Sequence, residues 1–191
     1  MYTNNEERWL VEQVLSGNRK AIGQLVIQYE RLVLHIVTPL IGVNEDREDL
    51  CQDIFLKIFE KLHTFEFRSK LSTWIGNIAY NSSLNFMKKK RNILFSELAI
   101  DHDDDISPVS TMINEDPGQL MVAKEQLSFL QHAIDQLPPV QRTIILLFHY
   151  HDLSLDEISV VTGDPINTVK SHLFRARKKL KEKLSTDNDG E

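Results

Sequence analysis

The segment from Ser154 to Lys183, SLDEISVVTGDPINTVKSHLFRARKKLKEK, constrains the fold of this chain more than any other part. Ser154 followed three residues later by Glu157 is the pattern of a capping box, which begins a helix. Gly163 is the residue type that a left-handed turn requires. We expect Asp164 to be the N-cap of a second helix and Pro165 to be its first residue. The segment therefore predicts two helices joined by a tight turn.

The second helix of this pair is strongly basic, although the whole chain has a net charge of −6. Seven Lys and Arg residues lie between Lys170 and Lys183, beside the single acid Glu182. Such helix pairs place their second helix in the major groove of DNA, where polar side chains reach base edges and cations neutralise phosphates. We expect DNA contacts from Asn167, Thr168, Lys170, Ser171, His172, Arg175 and Arg177. A solvated helical hairpin, or one that contacts protein, is the alternative.

Elsewhere apolar residues recur at a helical period, and few segments alternate as strands do. The pattern predicts helices ahead of the basic pair from Ala21 to near Pro39, at Asp49–Leu62, at Ser72–Lys90, at Gln119–Leu137 and at Pro139–Tyr150. A loop is expected at Thr64–Lys70. The fold class is therefore all-α.

Residues 96–116 interrupt the helical pattern. Residues 96–120 contain seven acids and neither Lys nor Arg, and Ser107-Pro108 lies within them. This composition is typical of a linker, and so long a loop would be unusual within one compact domain. We therefore expect two small helical domains joined by an acidic flexible linker.

Other features argue against a membrane protein or an enzyme. No apolar run approaches the roughly 20 residues that cross a bilayer, and the N-terminus lacks the layout of a signal peptide. The single Cys51 is expected to be a small core residue, and the chain to be soluble and cytoplasmic. His149 and His151 lie two residues apart, so they do not share a helix face as a metal site would need. We expect no metal, no cofactor and no catalytic set.

The segment Thr64–Arg91 ends in four consecutive bases, Lys88–Arg91, and carries aromatic residues ahead of them. Proteins bind single-stranded nucleic acid with cations that contact its phosphates and with aromatic rings that stack on its bases. Trp74 and Ile78 fall on one helix face, where burial in the core is the simpler interpretation. The four bases are equally compatible with a solvated helix end stabilised by the helix macrodipole.

Two separated sets of motifs resemble the sigma-70 family of bacterial RNA polymerase subunits, in particular its extracytoplasmic-function group. Asp46–Arg91 resembles region 2 of that family, through EDLCQDIF at Glu48–Phe55, Phe65, STW at Ser72–Trp74 and IAYN at Ile78–Asn81. Gln136–Leu180 resembles region 4, through QLPPVQR, LSLDEIS and TVKSHLFRARKKL. The two sets occur in the order that the family has.

The resemblance implies a region 2 helical bundle at residues 1–95, an acidic linker at 96–118, a region 4 helix-turn-helix domain at 119–185 and a tail at 186–191. It implies a sigma factor that binds core polymerase, melts the minus-10 promoter element and reads the minus-35 element. The core contacts would be the clamp of the largest polymerase subunit and the flap. The residues that match the core-binding motif are Asp49, Leu50, Gln52, Asp53, Phe55 and Leu56. We expect Leu50, Ile54 and Ile58 to be core and the exposed acids to carry recognition.

The resemblance also implies a pocket for a flipped base of the minus-10 element. The residues implied there are Phe65, Phe67, Arg68, Lys70, Tyr80, Asn81, Lys88 and Arg91. An anti-sigma protein is an expected partner, and the linker either enters the polymerase channel or acts as an inert tether. Two other functions stay open: a conventional regulator that binds duplex DNA without polymerase, and a helical enzyme or scaffold with incidental basic faces.

Overall fold

A computed structural model describes residues 4–43, 45–97 and 129–186 of the chain. Every regular element within those residues is helical, which confirms the all-α fold class. The helices are α1 (Asn4–Leu15), α2 (Arg19–Ile41), α3 (Glu45–Lys61), α4 (Leu71–Glu97), α5 (residues 129–135), α6 (Pro139–His149), α7 (Leu155–Thr162) and α8 (Ile166–Thr186), with a 3₁₀ turn at Leu62–Thr64. Among them, no helix is long and apolar enough to cross a membrane.

Several observed boundaries differ from the predicted ones. The apolar pattern does not predict α1, and α4 continues beyond Lys90 to Glu97. Helix α2 passes through Pro39 and ends at Ile41, because the buried Leu40 extends its apolar stripe and Gly42 adopts the positive φ that ends the helix. The predicted linker lies outside the described residues, except that residues 96 and 97 belong to α4. The predicted tail at residues 186–191 also lies outside them, except that residue 186 belongs to α8.

Helices α1 to α4 pack around an aliphatic stripe on α2. The side-chain oxygen of Asn18 begins α2 by accepting hydrogen bonds from the backbone N–H groups of Lys20 and Ala21. Burial of each Leu or Ile side chain contributes roughly 1.5–3 kcal/mol, so the shared stripe fixes how these helices meet. The fully or nearly fully buried side chains of this packing are Leu25, Leu32, Val33 and Ile36 on α2, Leu50, Ile54 and Ile58 on α3, and Leu71, Ile75 and Ala79 on α4.

Helix α6 is the centre of the C-terminal unit. It buries four consecutive side chains, Ile144–Leu147, because α2, α7 and α8 all pack against it. A buried ion pair joins Asp135 on α5 to Arg142 on α6, with a guanidinium nitrogen 2.5 Å from Oδ1. Burial lowers the pKa of Arg142, and the Asp135 carboxylate opposes that shift. The pair thus ties α5 to α6.

The two helical units pack directly against each other. Helix α6 lies on α2, and α7 lies on α4. Gly76 on α4 is buried, and a Cβ atom added there would lie 3.1 Å from Cγ2 of Val161 on α7. The buried side chains of both units therefore form one continuous core, although the sequence divides the chain into two domains.

Candidate nucleic-acid interface

The first helix of the predicted pair begins as the sequence indicates. The hydroxyl oxygen of Ser154 accepts the backbone N–H of Glu157 at 3.2 Å. In return the Glu157 carboxylate accepts the backbone N–H of Ser154 at 2.8 Å, which confirms the capping box. Gly163 ends the helix with a φ of 76°, the left-handed conformation expected of it.

The second helix starts one residue later than predicted. The carbonyl of Pro165, not that of Asp164, accepts the first helical hydrogen bonds, and α8 begins at Ile166. Asp164 is held inside the turn instead, because its carbonyl accepts the Ser159 hydroxyl at 2.6 Å and its backbone N–H donates to Thr162 Oγ1. These bonds fix the direction in which α8 leaves the turn.

Helix α8 has one buried and one exposed face, as the spacing predicts. Val169, Leu173 and Ala176 are buried against the rest of the unit. The predicted DNA-contacting residues that lie exposed on α8 are Asn167, Lys170, Ser171, Arg175 and Arg177. Thr168 and His172 are half-buried, so they are less available to a ligand than the sequence suggests.

Arg177 has structural contacts that the sequence does not reveal, and His172 is partly buried. The guanidinium of Arg177 lies 5.0 Å from the ring centroid of Phe148, and one of its nitrogens lies 3.3 Å from His149 Nε2. The Nδ1 atom of His172 is buried and has no hydrogen-bond partner within the described residues. Arg177 therefore packs α8 against α6. The other exposed cations of the predicted set, Lys170 and Arg175, lie on the first three turns of α8.

Phe174 is an exposed residue of this surface that the sequence interpretation missed. Its side chain is 70% exposed, beside Lys170, Ser171 and Arg175. A single exposed ring is not unusual by itself, but apolar side chains on a helix in the major groove can contact thymine methyl groups. Its position one turn after Lys170, on the same face of α8, is a signal for this role that the sequence contains.

A second cluster of predicted nucleic-acid contacts lies in the loop before α4. Phe65 packs between two rings that are tilted relative to its own, and its ring centroid lies 4.7 Å from that of Phe67 and 5.4 Å from that of Trp74. Phe67 has a φ of 58°, which is strained for a bulky residue, and the guanidinium of Arg8 lies 4.5 Å from its ring centroid. The loop is thus held in one shape by aromatic packing, and strain of this kind is concentrated at functional sites.

The structure does not bring all the predicted minus-10 residues together. Phe65 and Tyr80 are buried, whereas Arg68, Asn81, Lys88 and Arg91 are exposed. Tyr80 and Arg91 are separated by about 16 Å along α4, at 1.5 Å per residue. The basic end of α4 is therefore a cationic segment separate from Tyr80 and Asn81.

Lys70 contacts the C-terminal unit, and Tyr80 lies near it. The Lys70 ammonium lies 2.9 Å from a carboxylate oxygen of Glu157 on α7. Tyr80 is 4% exposed; burial raises the pKa of its phenol, and the nearby Asp164 carboxylate adds to the increase. The helix pair therefore rests on part of the predicted strand-binding surface.

Helix α3 presents a mixed acidic and apolar face. Leu50, Ile54 and Ile58 are buried, as the sequence predicts for its core positions. The exposed residues of the core-binding match are Asp49, Gln52, Asp53 and Leu56, and Phe55 is half-buried. Leu56 is 60% exposed, so this face offers an apolar side chain among acids.

An open groove on the C-terminal unit is lined mostly by apolar residues. It lies between α5, α6 and α8, and helical periodicity alone does not predict it. Its apolar lining includes Leu130, Ile134, Ile145, Leu146, Leu180 and Leu184.

The histidines near the end of α6 do not form a metal site. His151 Nε2 lies 2.9 Å from His35 Nδ1 on α2, so one ring donates and the other accepts a hydrogen bond. Burial lowers the pKa of each ring to about 4, and neighbouring cations add to the decrease. Nowhere in the described part of the chain do three or more metal-ligating side chains meet.

Comparison with known proteins gives consistent matches to one family. The family model described as Sigma-70 region 2 matches residues 25–93, and that described as Sigma-70, region 4 matches residues 130–180. The chain is 30% identical to the ECF RNA polymerase sigma-E factor of Escherichia coli, over 92% of each chain. It is 26% identical to the ECF RNA polymerase sigma factor SigW of Bacillus subtilis, over 91% of this chain and 94% of SigW.

A solved structure with a similar fold is that of the sigma factor RpoE from Bartonella quintana, in complex with the anti-sigma factor NepR. It is 27% identical and has a TM-score of 0.62, and the match covers 88% of this chain and 99% of RpoE. Both helical units thus have counterparts in the same relatives.

Proposed function

Because this chain belongs to the extracytoplasmic-function group of the sigma-70 family and is an RNA polymerase sigma factor, we propose that it divides promoter recognition between its two helical units. The observation that supports this division is the presence of two separate surfaces with different chemistry. One is an exposed basic helix, and the other is an aromatic loop with a basic helix after it. Family models match both units, so the alternative of a conventional duplex-binding regulator is not favoured.

The region 4 unit binds the minus-35 element as duplex DNA. Helix α8 enters the major groove, Asn167 and Ser171 reach base edges, and Lys170 and Arg175 neutralise phosphates or bind guanine. Phe174 supplies an apolar contact to thymine. The rigid turn at Gly163 supports this assignment, because specific readout needs a helix held at a fixed angle.

The region 2 unit binds one strand of the opened minus-10 element. A flipped base costs a few kcal/mol to extrude, and stacking and hydrogen bonds in a pocket offset that cost. The pocket lies between the Phe65–Lys70 loop and the middle of α4, where Asn81 is exposed. Lys88 and Arg91 follow the phosphates farther along the strand. Binding energy for the unpaired strand shifts the equilibrium toward open DNA, so this subunit needs no ATP.

Two further surfaces fit the core polymerase. The acidic and apolar face of α3, centred on Asp53 and Leu56, suits a basic and partly apolar helix of the polymerase clamp. The apolar groove between α5, α6 and α8 is the surface that we assign to the polymerase flap. The protein acts in the cytoplasm and catalyses no reaction itself, as members of this family generally do not.

An anti-sigma protein is a further expected partner of this chain. The similar RpoE of Bartonella quintana was solved in complex with the anti-sigma factor NepR. Purification of the tagged full-length chain from its native cells, followed by identification of proteins in stoichiometric complex, tests this expectation. Recovery of core polymerase as the sole stoichiometric partner under non-inducing conditions would contradict it.

Run-off transcription tests the proposed function. Purified bacterial core polymerase is supplied with genomic fragments, with and without this protein. We expect new transcripts with defined start sites only when the protein is present, and co-elution of the protein with core on gel filtration. Tight duplex binding by the protein alone, with neither new start sites nor a complex with core, would contradict the proposal and favour a regulator.

A further inference from the structure

Helix α1 lies outside the part of the chain that the family model for region 2 covers. That model matches residues 25–93, and α1 ends at Leu15. The helix is nevertheless well anchored, because Leu10 and Val11 are almost fully buried and α1 packs on α2 and on the 3₁₀ turn after α3. This turn leads directly into the aromatic loop before α4. Helix α1 is therefore placed beside the loop to which we assign the minus-10 strand.

Two adjacent residues of α1 reach this loop. The guanidinium of Arg8 lies 4.5 Å from the ring centroid of Phe67, which is a cation–π contact. A carboxylate oxygen of Glu7 accepts a long hydrogen bond, at 3.5 Å, from the backbone N–H of Leu71, the first residue of α4. Burial raises the pKa of Glu7, and that hydrogen bond and the Lys70 ammonium oppose the shift. One turn of α1 thus contacts both the loop and the helix that follows it.

The conformation of the loop needs support from outside it. Phe67 has a φ of 58°, a left-handed conformation that is unfavourable for a bulky residue and persists only where the surroundings hold it. Backbone hydrogen bonds close the loop at its two ends, to the Leu62 carbonyl before it and to the Lys70 carbonyl after it. The ion pair between Arg68 and Glu66 is exposed, so it contributes little. The middle of the loop is therefore held by the aromatic packing and by α1.

We propose that α1 positions the loop for base recognition: Arg8 and Glu7 hold Phe67 and the start of α4 in the shape that admits one base of the minus-10 strand, and so determine which base is preferred there. The inference rests on the proposed function, because it takes this loop to be part of the strand-binding pocket. A pocket discriminates between bases only when its walls keep their shape, since a loose loop adapts to any base. The two residues therefore act through the loop rather than by touching DNA. Their contacts lie within the region 2 unit, so they do not depend on how the two units are arranged.

Two substitutions remove these contacts and keep α1 helical. Arg8→Ala removes the cation that lies over the loop ring, and Glu7→Ala removes the hydrogen-bond acceptor at the start of α4. Alanine favours helices and neither side chain belongs to the core, so the fold should persist. The controls are Arg19→Ala and Glu12→Ala, which make the same changes of net charge at exposed positions of the region 2 unit.

Hydrogen exchange of the free full-length chain measures whether α1 holds the loop. Exchange of backbone amides is followed by mass spectrometry in peptides that cover residues 62–71, without DNA or polymerase. An exposed cation–π contact changes an equilibrium by roughly two- to five-fold, so exchange in this segment should become faster by about that factor in Arg8→Ala. The Leu71 amide should lose protection in Glu7→Ala. The two controls should exchange as the parent chain does.

Base discrimination is measured on holoenzymes that contain the variants. The promoter is one located by run-off transcription, and templates carry each of the four base pairs at successive minus-10 positions. The rate of forming heparin-resistant open complexes is compared among them. We expect Arg8→Ala to lower the preference for the native base by about two- to five-fold at one position and to leave upstream protection intact. Addition of Arg8→Ala to Phe67→Leu should change the preference no further, because Arg8 acts through that ring.

Unchanged exchange of the loop in both Arg8→Ala and Glu7→Ala would overturn the positioning role of α1. Faster exchange with an unchanged base preference would overturn its role in discrimination. An equal loss of open complexes on every template, still present in the Phe67→Leu background, would mean that Arg8 binds a phosphate directly, which also contradicts the proposal. The exchange measurement contains neither DNA nor polymerase. Failure of run-off transcription would therefore refute the proposed function while the exchange rates still report on the loop.

Discussion

The buried ion pair between Arg142 and Asp135 provides a quantitative test of how the C-terminal unit is held together. The two side chains are 8% and 5% exposed, and the Asp135 carboxylate also accepts a hydrogen bond from the Gln131 side chain. Replacement of one partner leaves a buried charge without its counter-ion, which typically costs about 3–5 kcal/mol. We therefore expect Arg142→Met to lower the free energy of unfolding by that amount.

The double variant Arg142→Met with Asp135→Leu separates this cost from the value of the pair. Replacement of both partners by apolar side chains of similar size is often neutral or stabilising, so most of the lost free energy should return. The exposed pair Lys178–Glu182, whose side chains are 67% and 62% exposed, supplies the control. Lys178→Met should cost at most about 0.5 kcal/mol.

Urea unfolding followed by far-ultraviolet circular dichroism measures these differences. The far-ultraviolet signal is needed because both tryptophans, Trp9 and Trp74, lie in the region 2 unit and do not report on the region 4 unit directly. If Arg142→Met and Lys178→Met unfold at the same urea concentration, the reasoning from burial is refuted. A double variant as unstable as Arg142→Met alone would show that packing, not the unpaired charge, causes the loss.

Three other predictions concern the cap, the recognition surface and pH. Ser154→Ala removes the capping box of α7 and should cost about 1 kcal/mol, measured by thermal unfolding; Ser185→Ala on the exposed end of α8 should change little. Phe174→Ala should leave stability unchanged, because the ring is exposed. It should weaken upstream promoter binding by the holoenzyme about five-fold, because one apolar contact is lost. Unchanged binding would exclude the ring from the interface. Burial lowers the pKa of His35 and of His151 to about 4, so the unfolded chain binds more protons between pH 6.5 and pH 4. The free energy of unfolding should therefore fall as pH decreases through that window, and His35→Phe combined with His151→Leu should flatten the dependence; an equally steep curve in the double variant would contradict this.

Much of the region 4 unit follows from local rules. The capping box at Ser154 and the left-handed Gly163 are set by neighbours within four residues, so the sequence predicts them correctly. The start of α8 differs by one residue, because the choice between Asp164 and Pro165 depends on the Ser159 hydroxyl, whose bond to the turn is not apparent from capping rules.

The relation between the two units could not be predicted in this way. Gly76 is a helix residue of low propensity with no local role, and its use as a contact for Val161 depends on residues 85 positions away. The pairing of His35 with His151 is likewise a long-range contact. The sequence shows aromatic residues at Phe65 and Tyr80, but it does not distinguish a base-stacking ring from a buried one.

The most direct test of the division of labour is a pair of footprints on one promoter with holoenzymes that contain single variants. Nuclease protection reports the upstream duplex contact, and permanganate reactivity of unpaired thymines reports the opened strand. We predict that Arg175→Ala weakens the upstream protection, whereas Asn81→Ala leaves the upstream protection and core binding intact and reduces permanganate reactivity. If Asn81→Ala leaves strand opening unchanged, or if both variants impair both signals equally, the assignment of duplex reading to α8 and strand holding to α4 is contradicted.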